Sequence, residues 1–294
     1  MKTHLLAGVA LLALLGGSAT AADLAVRKAP VAPPVCPTCD WNGFYLGFNV
    51  GGSIGRDSTD NTITLSPNAP AAGVTNPISA LSYQHSPAGV VGGGQIGFNW
   101  QAGRWVFGVE ADWDASGQRD TVNSHAFLAS TVVVAPASLD YSDEQKIKWL
   151  ATARARLGWT YDCFLWYVTG GAAWGKVDSN YTFQVTGLNA GGATTFGTGA
   201  AAASFSTTRT GWTIGGGVET SLAWFGVPNN NWSAKLEYLY VDLGTVTNSF
   251  TVPLTATPAA FYTFTSSSHI RDHIVRVGVN YRFNYGPGPV AARY

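Results

Sequence analysis

The sequence predicts an all-β protein, an eight-stranded antiparallel up-and-down transmembrane β-barrel with long extracellular loops, on three observations. Eight stretches alternate apolar with polar residues, nearly all have aromatics at one or both ends, and the gaps between them run long, short, long, short, long, short, long. Period-two alternation marks a strand with one apolar face. The rhythm of gaps is that of barrels with tight turns on one side and long loops on the other.

The stretches follow in order. Trp41 to Gly52 places Phe44, Leu46, Phe48 and Val50 on one parity and Tyr45, Gly47 and Asn49 on the other. VVGGGQIGFNWQ and RWVFGVEADWD send Ile96, Phe98 and Trp100, then Trp105, Phe107, Val109, Ala111 and Trp113, to the lipid, with a turn around Ala102 and Gly103 between them. In KWLATARARLGW, Trp149, Ala151, Ala153, Ala155, Leu157 and Trp159 oppose Thr152, Arg154, Arg156 and Gly158. An arginine facing lipid at the midplane costs roughly 2 to 4 kcal/mol, so Arg154 and Arg156 point inward. FLWYVTGGAAWG puts Trp166, Val168 and Trp174 outside, and GWTIGGGVETS does so for Trp212, Ile214 and Val218 while turning Glu219 in. In WSAKLEYLYV and HIVRVGVNYRF, Trp232, Leu236, Tyr238 and Tyr240 oppose Lys235 and Glu237, and Val275, Val277, Val279, Tyr281 and Phe283 oppose Arg276, Asn280 and Arg282.

Tryptophan positions support this reading, because indoles collect where hydrocarbon meets water. Trp41, Trp100, Trp105, Trp159, Trp166, Trp224 and Trp232 flank the N-terminus or the short turns, and Trp113, Trp149, Trp174 and Trp212 flank the long gaps. With Phe283 they form an expected aromatic belt at both rims. A soluble sandwich would bury its tryptophans centrally.

Composition agrees. Charged residues make up 12% of the chain, about half the share usual in soluble domains. Zero net charge suggests neither nucleic acid nor an acidic membrane surface as a partner. Lys2, an apolar run from Leu5 to Leu15 and Ala19-Thr20-Ala21 read as a secretory signal peptide over residues 1–21. A proline-rich periplasmic leader, 22–40, the barrel, 41–283, and a short tail, 284–294, complete the expected organisation. No other apolar run is long enough for a transmembrane helix. Export without such a helix points to the outer membrane of a Gram-negative cell, with both termini periplasmic. The expected partners are outer-membrane lipid and the barrel-assembly machinery, the chain being a monomer.

Cys36-Pro37-Thr38-Cys39 is the one local chemistry motif, and Cys163 lies in the turn after the fourth strand. In an oxidising compartment the motif reads as a local Cys36–Cys39 disulfide, with a redox pair or a zinc half-site as alternatives. Redox chemistry of the thioredoxin kind needs a helix N-terminus, which a proline-rich tail does not supply.

Inward parity collects Glu110, Asp112, Glu219 and Glu237 with Arg154, Arg156, Lys235, Arg276 and Arg282. In an eight-stranded barrel side chains just fill the interior. The expectation is therefore a plug of ion pairs, the alternatives an ion path or a catalytic cluster. Inward glycines, Gly97 and Gly217 among them, make room for long side chains or leave a thin water channel. The long gaps, roughly Ser53 to Ala88, Ala115 to Ile147, Lys176 to Thr210 and Gly244 to Arg271, hold alternating patches that suggest hairpins rising beyond the bilayer. His85, His125, His269 and His273 lie in or beside them and are candidate haem ligands, although no pair has ligand spacing. No resident cofactor or metal is expected. Ser268-His269 and Asp272-His273 do not form a spaced catalytic constellation, so no enzyme is expected either.

WNGFYLG from Trp41, GGGQIGFNWQAGRWVFGVEADWD, RARLGW, YVTGGAAWG, KLEYLYVDLG and the terminal VRVGVNYRF together resemble the small outer-membrane β-barrel proteins of alphaproteobacteria, the porin-family or outer-membrane immunogenic proteins. The leader ADLAVRKAP fits that group too. The resemblance spans Trp41 to Phe283 through the strands and fails in the long gaps. It implies an OmpA-like eight-stranded barrel, surface exposure, a role in envelope integrity and, in some members, haemin or host-surface binding. It carries no catalytic residues. The chain departs from the pattern in the CPTC motif and in continuing past Phe283, the residue that matches the terminal assembly signal.

Overall fold

The computed structural model describes residues 39–65, 79–128, 137–186, 189–190, 193–194, 199–227, 231–253 and 261–283. The predicted signal peptide, most of the leader including Cys36, and the tail lie outside them.

The strands are β1 (Gly43–Gly55), β2 (Asp57–Leu65), β3 (Ser79–His85), β4 (Ala88–Ala102), β5 (Trp105–Leu128), β6 (Ala137–Tyr161), β7 (Phe164–Thr186), the two-residue pair β8 (Asn189–Ala190) and β9 (Ala193–Thr194), β10 (Gly199–Ser221), β11 (Trp232–Pro253) and β12 (Phe261–Phe283). Antiparallel pairing runs β1-β4-β5-β6-β7-β10-β11-β12, and β1 pairs back onto β12 from Phe44↔Phe283 to Gly55↔Asp272, so eight strands form a ring. The hairpin β2–β3 continues the sheet from the upper half of β12, from Tyr262↔Leu65 to His269↔Ser58.

One end of the ring is held by short connections. Gly103 and Arg104 join the pair Ala102↔Trp105, with Gly103 at φ 62°, where a glycine has no steric penalty. Asp162 and Cys163 join Tyr161↔Phe164, with Asp162 at φ 52°. A 3-10 turn, Leu222–Phe225, is capped by the Ser221 side chain and ended by Gly226. At the other end the strands run on: β5 and β6 stay paired out to Leu128↔Ala137, and β11 and β12 out to Pro253↔Phe261. Segments read as long loops are thus largely arms of a sheet, the crown, because they carry the β-branched and aromatic alternation that sustains a ladder.

Parity holds as predicted in all eight ring strands. Phe48, Val109, Trp166, Ile214 and Val277 are exposed on the outer face, and Glu110, Arg154, Glu219, Glu237 and Arg276 are buried within. β-bulges between Ile147 and Trp149 and between Asp242 and Gly244 shift the register and exchange the parities above them. Hence Tyr141, Asp143, Gln145 and Ile147 face inward above the first bulge, whereas Leu150, Thr152 and Arg154 do so below it.

Two expectations are corrected. Trp41 is 1% exposed and belongs to the interior, in a cluster with Cys39, Val106, Cys163, Leu165 and Tyr167. It precedes β1, so no ladder fixes its side chain outward, and it turns beneath the ring. Cys39 bonds to Cys163, 124 residues away, in place of the local Cys36. The short turn after β6 holds Cys163 at the floor beside Trp41, which a local spacing cannot reveal. The other belt residues keep their places. Trp100, Trp105, Trp113, Trp159, Trp166, Trp212 and Trp232 are exposed, and Trp149, Trp174 and Phe283 are partly covered.

Candidate functional site

The interior is filled in levels, which inward parity on each strand positions. At the floor Trp41 donates its backbone N–H to Gln101 Oε1 at 2.8 Å. Arg282 lies over its ring at 4.8 Å and donates to the Asp40 carbonyl.

Above it is the predicted ionic network. Arg154 bonds Glu110, Asp112 (2.6 Å) and Glu237 (3.0 Å). Arg276 reaches Asp112 (2.8 Å), Asp114 (2.6 Å) and Glu237 (2.7 Å). Lys235 donates to Glu110 at 2.9 Å, and Arg156 donates to Glu219 at 2.5 Å while its guanidinium lies 3.5 Å from the Tyr167 ring centroid. Tyr45 and Tyr167 hydroxyls donate to Glu110 (2.6 Å) and Glu237 (3.1 Å), and Ser233 and Asn280 donate to Glu219. Each of the five carboxylates has a cation partner, as burial requires. Asp114, Tyr45 and Tyr167 belong to this network although they were not among its predicted members. Asp114 shares the parity of Glu110 and Asp112, and the tyrosines share that of the inward glycines, so pattern alone could have found them.

The inward glycines make room for these side chains rather than for a channel. A Cβ on Gly217 would stand 2.7 Å from the Tyr167 hydroxyl, and one on Gly97 would meet the Tyr45 ring. A groove of about 610 Å³ lies on the outer face between Trp105, Leu157, Trp166 and Val168, not in the interior.

The next level is apolar on most sides, with Val91, Ile147, Leu150, Ala173, Leu239 and Ile274. Gln118 closes another side by donating to Ser53 Oγ (2.8 Å) and Asp272 (2.9 Å).

The floor of the crown is polar again. His85, fully buried, sits between Asp143 (Nε2, 3.0 Å) and Asp120 (Nδ1, 3.3 Å). Burial alone would lower its pKa, but the Asp143 hydrogen bond and charge, with Asp120 behind, raise it above the ordinary value. Tyr83 donates to Asp143 at 2.7 Å and shares a 2.6 Å bond with Tyr141. Asp57 accepts from Gln145 (3.0 Å) and the Arg271 backbone (2.8 Å). Burial pushes its carboxyl up to about 7, against the Arg271 bond and aided by the charge of Asp272. Ile63, Leu139, Phe183, Val252, Tyr262 and Phe264 cap the whole.

The four candidate haem ligands do not converge. His85 has both ring nitrogens on carboxylates, and His125 bonds Asp140 at 2.6 Å on the outer face of the crown. His269 meets Asp242 at 3.1 Å, and His273 bonds the Tyr238 hydroxyl at 2.7 Å. Among the described residues no three His, Cys, Asp or Glu side chains are arranged to hold a metal ion.

Comparison with known proteins places this architecture. A family model described as outer membrane protein beta-barrel domain matches residues 9–283. The 31 kDa outer-membrane immunogenic protein of Brucella melitensis is 33% identical over 293 residues, covering 96% of this chain and 100% of that protein. The 22 kDa outer membrane protein of Rhizobium leguminosarum bv. viciae is 30% identical over 213 residues, 71% of this chain and 67% of that one. Among solved structures, the outer membrane protein OprG from Pseudomonas aeruginosa aligns over 82% of this chain and 97% of its own, with a TM-score of 0.41 and 12% identity. The chain therefore belongs to the outer-membrane β-barrel family.

Proposed function

We propose that this outer-membrane protein spans the bilayer as a closed, non-enzymatic barrel, anchors a rigid crown at the cell surface, and contributes to envelope integrity and surface contact. One observation carries the reading. Between the aromatic girdles the outward positions of all eight ring strands hold no Asp, Glu, Lys or Arg, while inward positions at the same depth hold the ionic network. On β7 the uncharged face runs from Phe164 to Trp174, about 33 Å along the strand at 3.3 Å per residue and about 25 Å in height once tilted. That is the apolar band of a transmembrane barrel.

A filled lumen favours an anchor over a pore. Opposed charges locked on one another neither select nor pass an ion. Short connections at the Cys163 end and long arms at the other favour periplasmic termini and an external crown, following the usual asymmetry of such barrels.

Orientation is tested by labelling intact cells with a membrane-impermeant maleimide. In a Cys36→Ser background, Asn123→Cys on the outer face of the crown labels at once, and Arg104→Cys in the β4–β5 turn labels only after the outer membrane is opened. The reverse order would overturn the reading.

A further inference from the structure

Beyond the girdle, basic residues occur in one narrow level. On β5, β6 and β7, Arg119, Lys146, Lys148 and Lys176 stand on the outer face, against only Glu144 and Asp178. Arg119 and Lys148 are 64% and 56% exposed at their side chains, even though each touches a carboxylate. On the other side of the ring Arg56 and Arg271 share an outward position, linked by the Arg56 N–H and the Arg271 carbonyl at 2.9 Å. Arg209 lies at the same level but donates to the Thr245 carbonyl.

Further out, the described crown strands hold no Lys or Arg at all, and their outer face is mainly Ser, Thr, Asn and Gln, with Ala200, Ala202 and Phe261 and the titratable Asp60, Asp140, His125 and His269. Below the level lies only the uncharged band. The step between them is short. Lys176 pairs in register with Trp149 and follows Trp174 by two residues, about 7 Å along the strand.

We propose that this collar binds the phosphate groups of a phosphorylated glycolipid in the outer leaflet, its acyl chains lying along the aromatic and aliphatic band beneath. A general solubilising charge would be spread over the crown. Cations confined to the height where hydrocarbon gives way to headgroups match anionic lipid phosphates, with Trp113, Trp149 and Trp174 as the apolar half of the contact. The strongest patch is the β5–β7 face, where four cations meet two carboxylates. Glu144 and Asp178 hold the long side chains of Arg119, Lys146 and Lys148 in place without cancelling them. The proposal rests on the transmembrane reading above.

The test uses the refolded full chain in zwitterionic detergent, titrated with bis-phosphorylated lipid A and separately with its dephosphorylated form. Heat-modifiable gel mobility confirms that each variant is folded. For the triple variant R119Q/K148Q/K176Q, affinity for phosphorylated lipid A falls about a hundredfold, roughly fivefold per cation removed from beside an anionic lipid surface. Arg104→Gln at the opposite rim leaves it unchanged, and the dephosphorylated form binds weakly to all. Equal affinity of wild type and triple variant, or of the two lipid forms, overturns the proposal. Inorganic phosphate binding as tightly as lipid A overturns the lipid source in favour of a free anion. Quenching of belt tryptophans by brominated-chain phosphatidylcholine, measured in parallel, separates the two readings. Quenching with no phosphate preference sinks the collar alone, and absent quenching sinks the transmembrane reading.

Discussion

The ring and the crown close their walls by different means. Around the ionic network the wall is continuous backbone, with β1 paired to β12 over its whole length and Cys39–Cys163 fastening the floor. In the crown, among the described residues, no ladder joins β3 to β5. That seam is closed by side chains: His85 to Asp120 and Asp143, Tyr83 to Asp143, and the Ser86 N–H to Asp120 at 2.8 Å. The two regions also differ in charge. Every carboxylate of the ionic network is matched by Arg or Lys, whereas above it Asp120 and Asp143 meet a single histidine, and Asp57 and Asp272 are held by neutral donors, Gln145 and the Arg271 N–H for the one and Ser53 and Gln118 for the other. Permanent cations make a wall indifferent to pH, and a histidine among carboxylates makes one that depends on protons.

The largest effect that would sharpen this contrast comes from the ring. Arg276→Met strands Asp112, Asp114 and Glu237 with one cation fewer, and breaking such a buried pairing costs about 3–5 kcal/mol. Urea unfolding in lipid vesicles measures it. A loss below about 1 kcal/mol would mean that water already reaches these groups.

Next in size is the floor. Cys39→Ser releases a closure spanning 124 residues and costs about 2–4 kcal/mol, whereas Cys36→Ser leaves stability unchanged. The opposite ranking of the two variants would restore the local disulfide.

The crown seam responds to pH. Asp57 has a folded pKa of about 7 against 3.8 for a free side chain, so its contribution is complete below 3.8 and lost as pH rises to about 7. The His85 pKa is raised above 6.5, so its contribution is present below 6.5 and lost as pH rises through the folded value. Both run the same way. After correction for intrinsic rates, amide exchange in β2 and β3 should be slower at pH 5 than at pH 8, with exchange in the lower ring unaltered. Equal protection at the two pH values would break the comparison.

The smallest effect is at one hydroxyl. Tyr83→Phe removes its bonds to Asp143 and Tyr141 and should cost roughly 1–2 kcal/mol, confined to crown protection.

Much of this was legible in the residues, and the limits have physical causes. Alternation is enforced by the ladder, so Trp105 to Trp113 outside and Arg154, Arg156, Lys235 and Glu237 inside could be read directly. Where the ladder ends or slips, reading fails. Trp41 stands before β1 and turns in, and the bulge at Ile147 and Trp149 exchanges parities, so Asp143 and Gln145 could not be assigned from Arg154. Cys39–Cys163 depends on which turn lies beside the leader, a fact of closure rather than spacing. The convergence of Asp57, Asp143 and Asp272 on the crown floor joins β2, β6 and β12 and has no local signature.

Single-channel recording tests the filled lumen most directly. The refolded chain is inserted into a planar bilayer, with heat-modifiable mobility confirming its fold. The account expects a silent membrane, before and after reduction of Cys39–Cys163, because the ionic level and the apolar level above it are held independently of that bond. Steady current steps from the folded protein would contradict it and make the barrel a pore.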